Sequence, residues 1–215
     1  MKDADIHAAI RLLKKEVPRW KTPIVGLYSR DPFLVLISCV LSLRTKDKTT
    51  EEASKRIFAL AQTPRAMLKL SRRAIEKAIY PVSFYRNKAE HIHAICADIL
   101  DRFGGKVPDT IDDLLTLKGV GRKTANLTVT LGFRKPGICV DTHVHRISNR
   151  WGYIKTKTPE ESEMALRAKL PRQYWIIYND LLVAYGQNLC VPVSPWCSRC
   201  VLAAYCDKKG VATSR

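Results

Sequence analysis

The chain is predicted to be all-α, and three observations lead there. Apolar residues recur at helical spacing from the N-terminal segment to the last long one, no stretch alternates apolar and polar residues as a half-buried strand would, and the periodic segments are joined by short links carrying Pro, Gly or Asp. No internal repeat of fixed period and no low-complexity segment interrupts this pattern. At 215 residues and 46% hydrophobic content the chain can form one domain or two small ones with ample core.

Each element has a local cause. Asp5–Val17 sets Ile6, Ala9, Ile10 and Leu13 on one face and stops at Pro18. Trp20–Tyr28, with Pro23 and Gly26, is a connection. Asp31-Pro32 caps and opens a strongly apolar helix, Phe33–Leu43, expected at the centre of the core. Lys48–Ala61 follows, with Ala53, Ile57, Phe58 and Leu60 as apolar positions, and then two short helices, Pro64–Leu70 and Ser71–Ile79. A turn carrying Phe84 and Tyr85 leads into the helix Lys88–Phe103, which Gly104-Gly105 closes. Asp109–Thr116 is a short helix with Ile111, Leu114 and Leu115 on one side, and Arg122–Leu131 is a second. After a basic turn, Ile138-Cys139-Val140 is a short apolar segment, and Asp141 caps a helix whose apolar face is Val144, Ile147 and Trp151. Pro159–Leu170 opens with Glu160, Glu161 and Glu163, as the helix dipole favours, and Gln173–Gln187 is a long helix before a proline-containing coil.

Charge narrows the function classes. The 37 Lys+Arg against 20 Asp+Glu give a formal charge of +17, which predicts a polyanionic partner, because clustered cations gain affinity by releasing counterions from phosphates. The basic residues run from Lys2 to Arg215, so a folded basic surface is expected rather than a charged tail. No apolar run reaches the length of a membrane span, and the polar, acidic Met1–Ile10 is no secretory signal, so a cytosolic protein is expected.

Seven cysteines in a reducing compartment need a role other than disulfides. Cys190, Cys197, Cys200 and Cys206 stand as C-x6-C-x2-C-x5-C, which points to a metal centre. Four thiolates suit zinc or a cubane iron–sulfur cluster, and spacing alone does not separate them; only Cys197/Cys200 is the close pair usual for zinc, which tilts the reading towards iron–sulfur. A shell closed by four cysteines implies a structural metal. Ser194, Arg199, Lys208 and Lys209 flank the ligands, where a metal-tied loop could meet phosphate. Cys39, Cys96 and Cys139 sit singly in apolar segments, as small buried hydrophobes do.

The chemistry concentrates in Leu117–Asp141. Leu117-Lys118-Gly119-Val120-Gly121 joins two helices and is long enough only for a tight hairpin, whose glycines allow φ > 0 and close approach of another molecule. The helix behind it begins with outward N–H groups, an anion site, and Lys118, Arg122 and Lys123 make that anion a phosphate. Val140-Asp141-Thr142-His143 follows, with Asp141 eighteen positions after Lys123. Lys123 is a candidate nucleophile for a sugar C1′, provided desolvation or cations such as Arg122 lower its pKa. Asp141 is the candidate to accept a proton and stabilise oxocarbenium-like charge. The resulting Schiff base permits β-elimination of the 3′ phosphate. Taken alone, Lys123 reads as a phosphate contact and Asp141 as a helix cap.

The combination closely resembles the endonuclease III family of helix-hairpin-helix DNA glycosylases. The likeness rests on Leu117-x-Gly119-Val120-Gly121-Arg122-Lys123-Thr124-Ala125-Asn126, on Val140-Asp141-Thr142-His143 and on the cysteine ladder, and it runs from Leu41-Ser42 through Asn87-Lys88-Ala89-Glu90 to Cys206. The resemblance implies a six-helix barrel domain over residues 25–135 beside a discontinuous iron–sulfur cluster domain from residues 1–24 and 136–215. It implies one [4Fe-4S] cluster on Cys190, Cys197, Cys200 and Cys206, Lys123 as Schiff-base nucleophile, and Asp141 as the partner carboxylate in the cleft between domains. The implied partner is double-stranded DNA carrying damaged pyrimidines or abasic sites, bound by a monomer.

Flipping a base out of the duplex leaves a gap to fill. Phe84 falls where the family inserts a bulky apolar side chain, with core packing as the alternative. Arg44 falls where the family usually places glutamine; it can fill the gap and hydrogen-bond the orphaned base, with a changed preference among opposing bases. Lys118 stands in place of the usual hairpin proline and adds a phosphate contact. His143 either lines the cleft or orients the Asp141 turn. Two competing functions remain: a mismatch glycosylase that cuts only the base–sugar bond, against which Lys123 argues, and a non-catalytic metal-stapled DNA-binding module, against which Lys123 and Asp141 argue together.

Overall fold

The computed structural model describes residues 1–20, 28 and 30–215, and the regular structure among them is entirely helical. Most of the connection expected over Trp20–Tyr28, with the domain boundary at residues 24/25, lies outside the described residues. Contacts divide the chain into a continuous unit, Ile24–Gly137, and a discontinuous one, Met1–Pro23 with Ile138–Arg215. The first helix, α1 (Ile6–Glu16), belongs to the discontinuous unit.

The continuous unit is built around α2 (Pro32–Ser42). Asp31 starts it as read from sequence: one carboxylate oxygen accepts the N–H groups of Phe33 and Leu34, each at 3.0 Å. Every residue from Val35 to Leu41 is buried, and Ser38 satisfies its hydroxyl on Leu34 O at 2.7 Å. Truncating Leu36 or Ile37 to alanine would therefore remove about 2–5 kcal/mol of stability. Around α2 lie α3 (Asp47–Leu60), α4 (Pro64–Leu68), α5 (Arg72–Ile79) and α6 (Tyr85–Arg102), followed by α7 (Ile111–Leu115) and α8 (Arg122–Leu127). Two leucines expected inward are not. The buried stripe of α3 runs Thr50, Ala53, Ser54, Ile57, Phe58 and on to Ala61, leaving Leu60 off the face and 56% exposed. On the single turn of α7 only Leu114 is fully buried, and Leu115 faces outward.

Helix α8 also departs from the continuous helix expected to Leu131. It widens after Leu127 into a π-helical turn, Thr128–Gly132, packed on α2. A Cβ on Gly132 would stand 2.7 Å from Pro32 Cα, so glycine is what lets the two backbones meet. The buried Thr128 and Thr130 hydroxyls donate back to Thr124 O and Asn126 O, a habit that loosens regular helix.

In the discontinuous unit, α1 buries Ile6, Ala9, Ile10 and Leu13 as its periodicity predicts. It packs with α9 (Thr142–Arg150), α10 (Pro159–Lys169) and α11 (Trp175–Asn188) around buried Trp151, Tyr153, Tyr178 and Tyr185. Tyr178 and Ser148 share a hydrogen bond at 3.0 Å inside this core.

Candidate active site and cysteine cluster

The hairpin is pinned from below. Thr110 caps α7 through Asp113 N–H, and the side chains of Leu117 and Val120 enter the core of the continuous unit, so Lys118, Gly119 and Gly121 are left facing out. Val120 can therefore meet a ligand only through its backbone. Gly119 has φ +77, and a Cβ there would run into the His91 imidazole, so glycine is required twice over. His91, unnoticed in sequence, is the floor of the hairpin. Lys118 is already engaged: its Nζ lies 2.6 Å from Glu90 Oε1, an exposed pair that holds the Glu90 carboxyl below the usual carboxylate range, with Arg72 adding to the effect. A phosphate contact by Lys118 thus competes with Glu90.

Gly121 takes the N-cap position of α8 and has no side chain to cover the first amides. Thr124, Ala125 and Asn126 are buried behind, which turns Lys123 outward in the first turn, exposed, with the half-buried Arg122 beside it. Lys123 is still close enough to oppose, by its charge, the upward shift that burial imposes on the Cys39 thiol, which reaches about 12. Cys39 and Cys96 are inert buried thiols, as expected from their apolar surroundings, and Cys139 is buried likewise.

Asp141 does cap α9. Its Oδ1 accepts the N–H groups of His143 and Val144, both at 2.9 Å. The His143 ring lies where a Cβ on Gly186 would collide with it, and its Nδ1 is 3.2 Å from Arg146 Nη2. Arg146 in turn donates to Gly186 O at 3.2 Å and Cys190 O at 2.9 Å. His143 thus packs against Arg146 and Gly186 within its own unit, and Arg146 links α9 to the cysteine loop.

Arg44 and Phe84 are both exposed, with Phe84 61% exposed, so core packing is excluded for the phenylalanine. Both have left-handed backbone, φ 53 and φ 56. Between their turns lies a residue that sequence reading quoted only as part of a motif. Lys88 occupies a core position of α6, in register with Ala89 and Ile92. A lysine on an apolar helical face was the signal that could have marked it.

The four C-terminal cysteines are half-buried and converge. Cys200 and Cys206 each lie within electrostatic reach of Cys190 and Cys197, and burial first, then these neighbours, raise both thiols above their ordinary range. Polar hydrogens point at the sulfurs. Tyr185 Oη is 2.9 Å from Cys200 Sγ, Arg150 Nη1 donates to Cys190 Sγ at 3.5 Å, and Lys208 N–H donates to Cys206 Sγ at 3.3 Å. Arg150, 7% exposed, also ties down the carbonyls of Val191 and Pro192.

Comparison with known proteins shows the family. The sequence matches the HhH-GPD superfamily of base excision DNA repair proteins over residues 37–172. It is 48% identical over 177 residues to the endonuclease III of Thermotoga maritima, across 82% of this chain and 83% of that one. The chain belongs to the endonuclease III family. Within that family it is 40% identical to an endonuclease III-like protein of Gallus gallus, covering 81% of this chain but spanning only 63% of that relative. Among solved structures, a trapped covalent endonuclease III–DNA intermediate in an estranged-adenine complex superposes with a TM-score of 0.86 at 33% identity, over 97% of each chain. A thermostable thymine-DNA glycosylase, 23% identical with a TM-score of 0.78 over 94% of this chain and 98% of that one, shares the fold. Among the described residues no helix is long and apolar enough to cross a membrane.

Proposed function

We propose that Lys123 and Asp141 are the reacting pair of a base-excision DNA glycosylase with AP lyase activity that removes oxidised pyrimidines from duplex DNA. The observation that carries this reading is the exposed Lys123 amine in the first turn of α8, directly behind a glycine hairpin whose cap position holds no side chain. Backbone amides there can take a phosphate and so hold the strand while the amine reaches the sugar. Because Lys123 is exposed in the free protein, the desolvation that favours its neutral form comes from the bound, flipped nucleotide, with Arg122 adding positive potential.

The steps follow from the two groups. Lys123 Nζ attacks C1′ and the base leaves with the glycosidic electron pair. Asp141 stabilises the oxocarbenium-like charge on the sugar and accepts the proton that the attacking nitrogen releases. Asp141 returns that proton to O4′ as the C1′–O4′ bond breaks to give the Schiff base; water takes a C2′ proton as the C2′=C3′ bond forms and the C3′–O bond breaks to release the 3′ phosphate, and hydrolysis of the imine returns the lysine. A relative captured as a covalent intermediate with DNA supports an enzyme-bound step. Arg44 and Phe84 fill the vacated stack.

In this reading the Ile24–Gly137 unit is the barrel domain and the discontinuous unit is the cluster domain. Cys190, Cys197, Cys200 and Cys206 would hold a [4Fe-4S] cluster. The donor set fits: N–H and O–H groups aimed at three of the four sulfurs are what metal-bound thiolates accept. When bound, the cluster supplies a cross-link that fixes the C-terminal loop.

The test is product analysis on a thymine-glycol duplex. Wild type should release the base and nick the strand; Lys123→Ala should do neither. Base release without a nick by wild type would favour the monofunctional alternative.

A further inference from the structure

One buried amine holds two turns together. Lys88 lies in the first turn of α6, 5% exposed, and its Nζ donates to Leu41 O at 2.8 Å, Leu43 O at 2.6 Å and Thr45 Oγ1 at 3.1 Å. An ammonium has three N–H donors and no acceptor, so these partners use all of it. Thr45 Oγ1 also accepts the Ser83 N–H at 3.3 Å and donates to Leu43 O at 3.2 Å, which engages its proton and both lone pairs. Arg44 stands between Leu43 and Thr45, and Phe84 follows Ser83. Both are exposed and both have left-handed backbone, an uncommon conformation for side chains of this size. The clasp immobilises both neighbours of Arg44 and the residue before Phe84.

We propose that Lys88 is a positioning residue that holds Arg44 and Phe84 as one rigid wedge, so that both enter the helix together when a nucleotide is flipped. This rests on the wedge reading of those two side chains. A methionine would match the lysine's length yet remove all three donors, leaving Leu41 O, Leu43 O and Thr45 Oγ1 each one hydrogen bond short, so the amine is not interchangeable with a packing residue. Burial lowers the Lys88 pKa to about 8, which still leaves all three donors in place near neutral pH. The two turns belong to different helices, and a free wedge residue would have to order each side chain at the moment of insertion.

The experiment follows 2-aminopurine fluorescence opposite an abasic-site analogue, which rises when the orphaned base is unstacked. It compares wild type with Lys88→Met, Lys88→Arg, Thr45→Val and Phe84→Ala. Lys88→Met and Thr45→Val should each lower the insertion amplitude about tenfold, the size of one lost charge-assisted hydrogen bond. They should lower the lyase rate on duplex abasic DNA by a similar factor relative to single-stranded abasic DNA, where no stack must be filled. Lys88→Arg, which keeps the donors, should recover part of the signal. Thr45→Val tests the clasp even if Lys88→Met fails to fold. Full insertion by either variant, or an equal loss on duplex and single strand, overturns the proposal. Phe84→Ala separates the two possible failures: a wild-type signal there removes the wedge and this proposal with it, whereas loss in Phe84→Ala with an intact signal in Lys88→Met removes only the role of Lys88.

Discussion

The guanidinium carbon of Arg44 stands 6.0 Å from the centroid of the Phe84 ring, and each residue is the left-handed member of its turn. An exposed contact of this kind contributes roughly 0.5–1 kcal/mol, enough to bias the arginine towards the ring and too little to fix it there. What fixes the pair is the backbone beneath it, through Lys88 and Thr45.

Arginine at this position should change which orphaned base suits the enzyme. The glutamine usual in the family both donates and accepts, whereas arginine only donates. Guanine offers two adjacent acceptors, O6 and N7, matched to a guanidinium fork. Wild type should therefore excise a lesion opposite guanine faster than one opposite adenine, and Arg44→Gln should narrow that ratio by about tenfold, one bidentate contact's worth. Single-turnover rates against the four opposing bases check this; identical profiles would refute it.

Raising pH should move stability and wedge function in opposite directions. Lys88 has a folded pKa of about 8, below the ~10.4 of an exposed lysine. Between those values the unfolded chain holds a proton that the folded chain has released, so stability contributed by this group rises with pH. The same deprotonation removes one of three N–H donors from the clasp. Urea unfolding across that window should show wild type gaining on Lys88→Met by at most about 3 kcal/mol. The duplex-to-single-strand lyase ratio should fall in wild type above pH ~8 and stay level in Lys88→Arg, whose charge is retained.

Asp141 combines a cap with a charge, and the two are separable. Asparagine caps as well as aspartate, so Asp141→Asn should keep stability within about 0.5 kcal/mol while excision falls at least ~100-fold. Asp141→Ala should also lose about 1 kcal/mol of stability, because the 2.9 Å bonds to His143 and Val144 N–H disappear. Wild-type excision by Asp141→Asn would leave the residue a cap and nothing more.

The cysteine loop should depend on its metal. Purified protein should be brown and contain iron and acid-labile sulfide, and Cys197→Ser should lose the colour and the protection of residues 190–206 from proteolysis. A colourless protein carrying stoichiometric zinc would overturn the cluster reading.

Much of this architecture is legible locally. Asp31 and Asp141 announce the starts of α2 and α9 because capping is a short-range interaction, and the stripe Ile6, Ala9, Ile10, Leu13 is set by periodicity alone. What escapes sequence reading depends on distant partners. The π-helical turn after α8 requires Gly132 to meet Pro32 a hundred residues earlier, and no local pattern reveals that approach. Leu60 looks like core until the register of α3 is known.

The candidate site divides the same way. Lys123, Asp141 and the cysteines can be nominated from spacing and residue type alone. Phe84 is ambiguous, since an aromatic in a turn fits core or surface equally, and only its exposure decides. Lys88 is hidden because its partners are backbone carbonyls, which leave no trace in side-chain sequence.

Borohydride trapping on DNA containing thymine glycol tests the central claim most directly, because reduction freezes the amine–sugar bond itself. Wild type should form a covalent protein–DNA adduct, with the DNA carried by the tryptic peptide that holds Lys123, and Lys123→Ala should form none. An undiminished adduct in Lys123→Ala, or none with wild type that still releases the base, would contradict the account.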